Sequence, residues 1–196
     1  MHKITIQYDG TDYVGWQRQA SGTSIQGLLE AALEPIEGKP VTLHGAGRTD
    51  AGVHAVAQVA SVALDMGLDD QALRRALNAV LPPDVRVTDV ERVADDFHAR
   101  FSAREKTYEY RIVNGPFVSP FEYRYAWHLP HPLDVPGMQE TALRLVGTRD
   151  FAAFQAAGSE VKTTERTIIS LDVEFDEPHL SVTVTADGFL RHMVRA

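Results

Sequence analysis

The order in which two hydrophobic periods recur along the chain is the tightest constraint on its fold. Residues that alternate apolar and polar bury one face of a strand, whereas apolar residues at i, i+3, i+4 and i+7 bury one stripe of a helix, so each change of period marks a new element. Lys3 to Tyr8 alternate, with Ile4, Ile6 and Tyr8 on one face, and a turn is expected at Asp9-Gly10. Ser24 then caps an expected helix with Ile25, Leu28, Leu29, Ala32, Leu33 and Ile36 along one stripe, ended by Gly38 and Pro40. Val41 to Gly45 and Ala55 to Leu64 read as the next two strands. A second helix starts at Asp69 or Asp70, turns Ala72, Leu73, Ala76, Leu77 and Val80 inward, and stops at Pro82-Pro83. Val85 to Val93 is the fourth strand. The resulting β-α-β-β-α-β order, over residues 1–102, is that of a ferredoxin-like half.

The same plan restarts in residues 103–196. Lys106 to Val113 is its first strand, and an aromatic, proline-rich insertion separates it, from Gly115 to His131, from a helix marked by Met138, Ala142, Leu145 and Val146. Ile168 to Phe175 and Leu180 to Ala186 form an expected hairpin across Asp176-Glu-Pro-His179, with Leu171, Val173 and Phe175 answering Leu180, Val182 and Val184. Gly188 to Arg195 opens a second helix, and the count of elements stops at Ala196 without a last strand, so the second half is expected to be truncated. The expected class is α+β: two ferredoxin-like halves around a central cleft, with a largely antiparallel sheet.

Between the second and third strands lies His44-Gly-Ala-Gly-Arg-Thr-Asp-Ala-Gly-Val-His54. Three glycines in one loop imply special backbone angles or a ligand pressed close to the main chain. Arg48 and Asp50, two residues apart on an extended segment, point to one face, where a guanidinium and a carboxylate can act on one ligand. A glycine-rich turn with a surface ion pair has the same spacing, so residue types alone leave both readings open.

Composition narrows the classes. With no cysteine among 196 residues, disulfides and thiolate zinc sites are excluded. No run approaches membrane-spanning length, and the start of the chain reads as a strand rather than a signal peptide, so a cytoplasmic protein is expected. The net charge of −8 opposes indiscriminate polyanion binding but leaves room for a local basic groove. Phe97 to Arg111 is the candidate, with Arg100, Arg104, Lys106 and Arg111 interleaved with Phe97, Phe101, Tyr108 and Tyr110; an amphipathic strand has the same pattern. The eight histidines, His44 with His54 and His128 with His131 in particular, lack the spacing and carboxylates of a metal site, and no metal is expected.

Several of these motifs occur together in order: Tyr8-Asp-Gly-Thr11 with Gly15-Trp-Gln17, Ser24-Ile-Gln26, Gly45 to His54, Phe97-His-Ala-Arg-Phe-Ser102, Lys106-Thr-Tyr-Glu-Tyr-Arg-Ile112 and Gly188 to Arg195. In this the chain closely resembles the tRNA pseudouridine synthase A family over nearly its whole length. The resemblance implies the pseudouridine synthase fold and a cofactor-free, metal-free isomerase that converts uridine to pseudouridine in the anticodon stem-loop of tRNA, working as a homodimer. It implies Asp50 as the nucleophile and Arg195 as the arginine paired with it. Tyr108 is implied to stack on the target base, and Arg48 to help displace the target nucleotide and contact RNA. Such a nucleophile must stay ionised in a partly dehydrated pocket, which a neighbouring cation favours. Two competing readings are a non-catalytic RNA-binding protein or inactive fragment on the same scaffold, and a glycine-loop nucleotide-binding enzyme. The second of these lacks the lysine and the strand-to-helix context that a phosphate cradle needs.

Overall fold

The computed structural model describes residues 1–156 and 161–195; Ala196, on which the expected end of the second half falls, lies outside them. The chain divides into two compact units, Met1–Ala103 and Arg104–Ala196. In the first, β1 (His2–Tyr8), α1 (Ile25–Glu37), β2 (His44–Gly45), β3 (Ala55–Val62), α2 (Asp70–Val80) and β4 (Val85–Arg92) follow one another. Their strands form one antiparallel sheet in the order β2-β3-β1-β4.

Alternation decides which face of this sheet is covered. His2, Ile4, Ile6 and Tyr8 of β1 are all buried, and the last three pack with Ile25, Leu29 and Leu33 of α1 and Leu73 and Leu77 of α2. Each fully buried side chain of this size contributes about 1.5–3 kcal/mol, so the helices are held mainly by their stripes. Capping fixes where they begin: Ser24 accepts from the Gly27 amide and Asp69 from that of Ala72. Gly38 ends α1 in the left-handed conformation.

Two expectations are corrected here. The strand expected from Val41 is reduced to His44–Gly45, because α1 takes the backbone of the preceding residue. The Leu43 N–H donates to Glu30 Oε1 at 2.9 Å and its carbonyl accepts from Gln26 Nε2 at 3.0 Å, leaving neither group for a ladder. Val80 is 66% exposed rather than inward, since the buried stripe of α2 runs Leu73, Leu77, Leu81 and passes it by.

The second unit holds β5 (Lys106–Asn114), β6 (Trp127–Leu129), α3 (Val135–Leu145), β7 (Gly147–Asp150), a short 3-10 turn (Ala152–Phe154), β8 (Glu165–Asp176) and β9 (His179–Ala186). These strands form their own sheet, in the order β6-β5-β9-β8-β7, antiparallel except for β5 with β6. The expected hairpin register is present: Leu171, Val173 and Phe175 face Val184, Val182 and Leu180. Tyr108, Tyr110 and Ile112 of β5 extend the same three rows. The other face carries polar rows such as Thr107, Thr185 and Ser170, so one-sided burial sets the register.

The helix expected over 188–195 is absent. Leu190 and Met193 are buried, but the bonds are Met193 N to Leu190 O and Arg195 N to His192 O, which are turn spacings. His192 has φ 61°, which an α-helix cannot accommodate. Among the described residues no helix is long and apolar enough to cross a membrane.

Candidate active site

The loop from Ala46 to His54 joins β2 to β3 and is fastened to the β1–α1 connection at several points. Its base is set by Gly45. A Cβ there would lie 2.5 Å from Cε2 of Trp16, an indole only 3% exposed, so the absent side chain admits the ring. The close approach expected of these glycines is therefore made at Gly45 by the protein's own tryptophan. Above it, the Trp16 N–H donates to the Thr49 carbonyl at 3.0 Å, and Tyr8 Oη shares a 2.8 Å hydrogen bond with Thr49 Oγ1. Gln58 Nε2 donates to the Gly47 carbonyl at 2.7 Å. The loop then turns back at Gly52, whose φ of +77° is readily adopted without a Cβ. There Val53 N donates to Asp50 O, and Gly52 N to Tyr13 O.

His54 closes the loop from the other side. The Gly10 N–H donates to His54 Nδ1 at 3.0 Å. Asp9 Oδ1 lies 3.0 Å from the same nitrogen and also accepts from the amide and hydroxyl of Thr11. Tyr13 Oη donates to Asp84 Oδ1 at 2.9 Å, tying the connection to the start of β4. Burial first, and then the Asp84 carboxylate it donates to, pushes the Tyr13 phenol up to about 12, so it remains a donor at any physiological pH.

One residue of this loop faces in and its two neighbours face out. Thr49 is half-buried against Tyr8, while Arg48 and Asp50 on either side of it are exposed. The partly dehydrated pocket expected around Asp50 is not supplied by the loop itself, where the carboxylate is exposed.

The other expected site residues belong to the second unit. Tyr108, on β5, is half-buried with its ring edge-on to Phe189 at 5.0 Å, on the margin of the core around Phe151, Leu190 and Met193. Arg195 is exposed at the end of the terminal turn and borders a shallow 290 Å³ hollow with Phe154, Gln155 and His192. The basic, aromatic stretch Phe97 to Arg111 is divided between the units: Arg100 and Phe101 lie in a turn of the first, while Lys106 and Arg111 are on β5 of the second. Arg111 is paired with Glu109 at 3.0 Å. Among the described residues no group of three or more histidines and carboxylates is placed to hold a metal ion.

Sequence reasoning missed the residues that hold the loop. Glu30 is the clearest: buried on α1, it accepts from Arg18 Nη1, Gln26 Nε2 and the Leu43 amide, and so joins the β1–α1 connection to the chain entering the loop. Its only sequence signal was a carboxylate four residues after Gln26, at the border of the apolar stripe.

A family model described as tRNA pseudouridine synthase matches residues 4–102 and 141–196. Proteins named tRNA pseudouridine synthase A are similar over nearly the whole chain. That of Moorella thermoacetica is 46% identical over 195 residues, covering 98% of this chain and 79% of its own. That of Syntrophotalea carbinolica is 45% identical over 193 residues, covering 98% and 77%. That of Thermoanaerobacter sp. (strain X514) is 43% identical over 192 residues, covering 98% and 79%.

Proposed function

The chain belongs to the tRNA pseudouridine synthase family, and from that premise we propose that it isomerises uridine to pseudouridine in the anticodon stem-loop of tRNA, with Asp50 as nucleophile. The observation that carries the assignment to Asp50 is the clamp on Thr49. Two hydrogen bonds from β1 and its connection fix that residue, between the exposed Arg48 and Asp50. A reactive group preset in this way loses little freedom when substrate arrives.

The reaction breaks the bond between ribose C1′ and N1 of uracil, rotates the base and joins C1′ to C5; the C5 proton leaves and N1 ends protonated. The Asp50 carboxylate forms the transient bond, at the sugar or at the base ring, that keeps the two fragments together. Arg48 contacts the RNA and helps displace the target nucleotide from the stem. Tyr108 stacks on the freed base, which offsets part of the few kcal/mol that unstacking costs. Arg195 is the cation that favours the ionised carboxylate, and no cofactor or metal enters the reaction.

We read the two units as ferredoxin-like halves of a pseudouridine synthase fold; the order of elements and strands in the first supports this. The functional boundary falls at 102/103, and the working form is a cytoplasmic homodimer. The test is incubation of the protein with an unmodified tRNA transcript carrying uridine tritiated at C5. Release of tritium to water, with pseudouridine mapped to the anticodon arm, is expected; retained tritium overturns the proposal.

A further inference from the structure

We infer that His44, His98 and Phe101, with Arg100 beside them, form a seat on which an unpaired nucleobase of the RNA stacks, distinct from the uridine being isomerised. The inference rests on the RNA-substrate reading above. The three rings form a short column: the His98 ring centroid is 4.9 Å from that of His44 and 4.4 Å from that of Phe101, with planes tilted by 31° and 37°. The guanidinium of Arg100 lies 5.8 Å from the Phe101 centroid. Phe101, at the end of the column, is 77% exposed.

A lone exposed phenylalanine needs no explanation. This one is held in place. Phe101 N and Ser102 N both donate to the His98 carbonyl, at 3.0 and 2.8 Å. His98 N donates to Ser102 Oγ, and Arg100 N to His98 Nδ1, each at 3.2 Å. The turn is anchored in the core, where the buried Ala99 N–H donates to Ser61 Oγ of β3 at 3.1 Å. Ser61 is also the residue paired with His44 across the β2–β3 ladder, so one buried serine anchors both the strand of His44 and the turn from His98 to Phe101.

A fixed ring face with a cation at its side suits a nucleobase, which presents a flat π surface whatever its identity. Its place suits a neighbour of the target. His44 opens the segment that carries Arg48 and Asp50, and six extended residues span at most ~20 Å. At 3.4 Å per stacked nucleotide along a strand, that is about six nucleotides or fewer.

The test uses the Asp50→Asn protein, which removes turnover, and measures equilibrium binding of an unmodified tRNA transcript to variants at Phe101. Phe101→Ala and Phe101→Leu are expected to weaken binding by about tenfold while Phe101→Trp retains it, since stacking and not bulk is the attraction. The slope of log Kd against log salt stays that of the parent, because no phosphate contact is lost. With Asp50 intact, Phe101→Ala raises KM by a similar factor rather than lowering kcat. Unchanged binding in Phe101→Ala, equal binding by Leu and Trp variants, or no RNA binding by the parent overturns the inference. Stacking at Phe101 in a wild-type protein that forms no pseudouridine leaves the seat standing and removes the catalytic reading; turnover with an unmoved KM in Phe101→Ala does the reverse.

Discussion

Gly45→Ala tests how the loop from Ala46 to His54 is built. The new Cβ lies 2.5 Å from Cε2 and Nε1 of Trp16, and the ring, nearly wholly buried beside Tyr8, has to move. An unstrained carbon contact is about 3.5–4.0 Å, so roughly an ångström must be taken up by the indole or the β2 backbone. Overpacking of this kind costs about 1–3 kcal/mol, and loss of glycine's freedom in the unfolded chain returns about 0.4–1 kcal/mol, for a net destabilisation of up to about 2.5 kcal/mol. Gly45 is not among the glycines with positive φ, so the backbone adds no strain of its own. In a Trp16→Leu background the obstruction is gone, and the same Gly45→Ala change becomes neutral or stabilising by up to about 1 kcal/mol. The assay is native-state hydrogen exchange at the amides of Ile4 and Ile6, which reports opening of the first core in all four proteins of the cycle. Equal effects of Gly45→Ala with and without Trp16 would refute the reasoning, as would stabilisation of the parent.

Glu30→Ala deprives the Leu43 N–H of its acceptor and is expected to destabilise the first unit by about 1–3 kcal/mol, with Glu30→Gln milder because its amide oxygen still accepts; urea titration of the pair decides this. Burial, above all, lowers the pKa of His2 from 6.5, and its Nδ1 is without a hydrogen-bond partner among the described residues. Above 6.5 both folded and unfolded forms are neutral and stability is full. As pH falls below 6.5 the unfolded chain takes up the proton first, and stability is lost toward the lowered folded value. His2→Phe therefore gains on wild type as pH falls; a difference in unfolding free energy that is flat with pH contradicts this.

Where a pattern was long and local, the sequence told the structure. The β1 alternation, the capped stripes of α1 and α2 and the β8–β9 register each satisfy one periodic rule over many residues. Elements fixed by partners far along the chain were not legible. β6 and β7 are three and four residues long, too short to show a period, and exist because β5 and β8 offer edges. Leu43 lost its ladder to side chains of α1, and the terminal segment lost its helix to one left-handed residue, His192.

The site divides in the same way. That Arg48 and Asp50 lie in one glycine-rich loop is plain from the sequence. That Tyr8, Trp16 and His54 hold this loop is not, since the bonds from Tyr8 to Thr49 and from Gly10 to His54 cross 41 and 44 residues of chain. The glycines signalled close packing without saying against what, and Trp16 was the answer at Gly45.

The central claim is that the Asp50 carboxylate is the nucleophile. Its most direct test is single-turnover reaction of Asp50→Asn with an unmodified tRNA transcript, read by pseudouridine mapping beside wild type. The account predicts that the variant binds the transcript as wild type does and forms no pseudouridine. Pseudouridine formed by Asp50→Asn at the wild-type rate would contradict it.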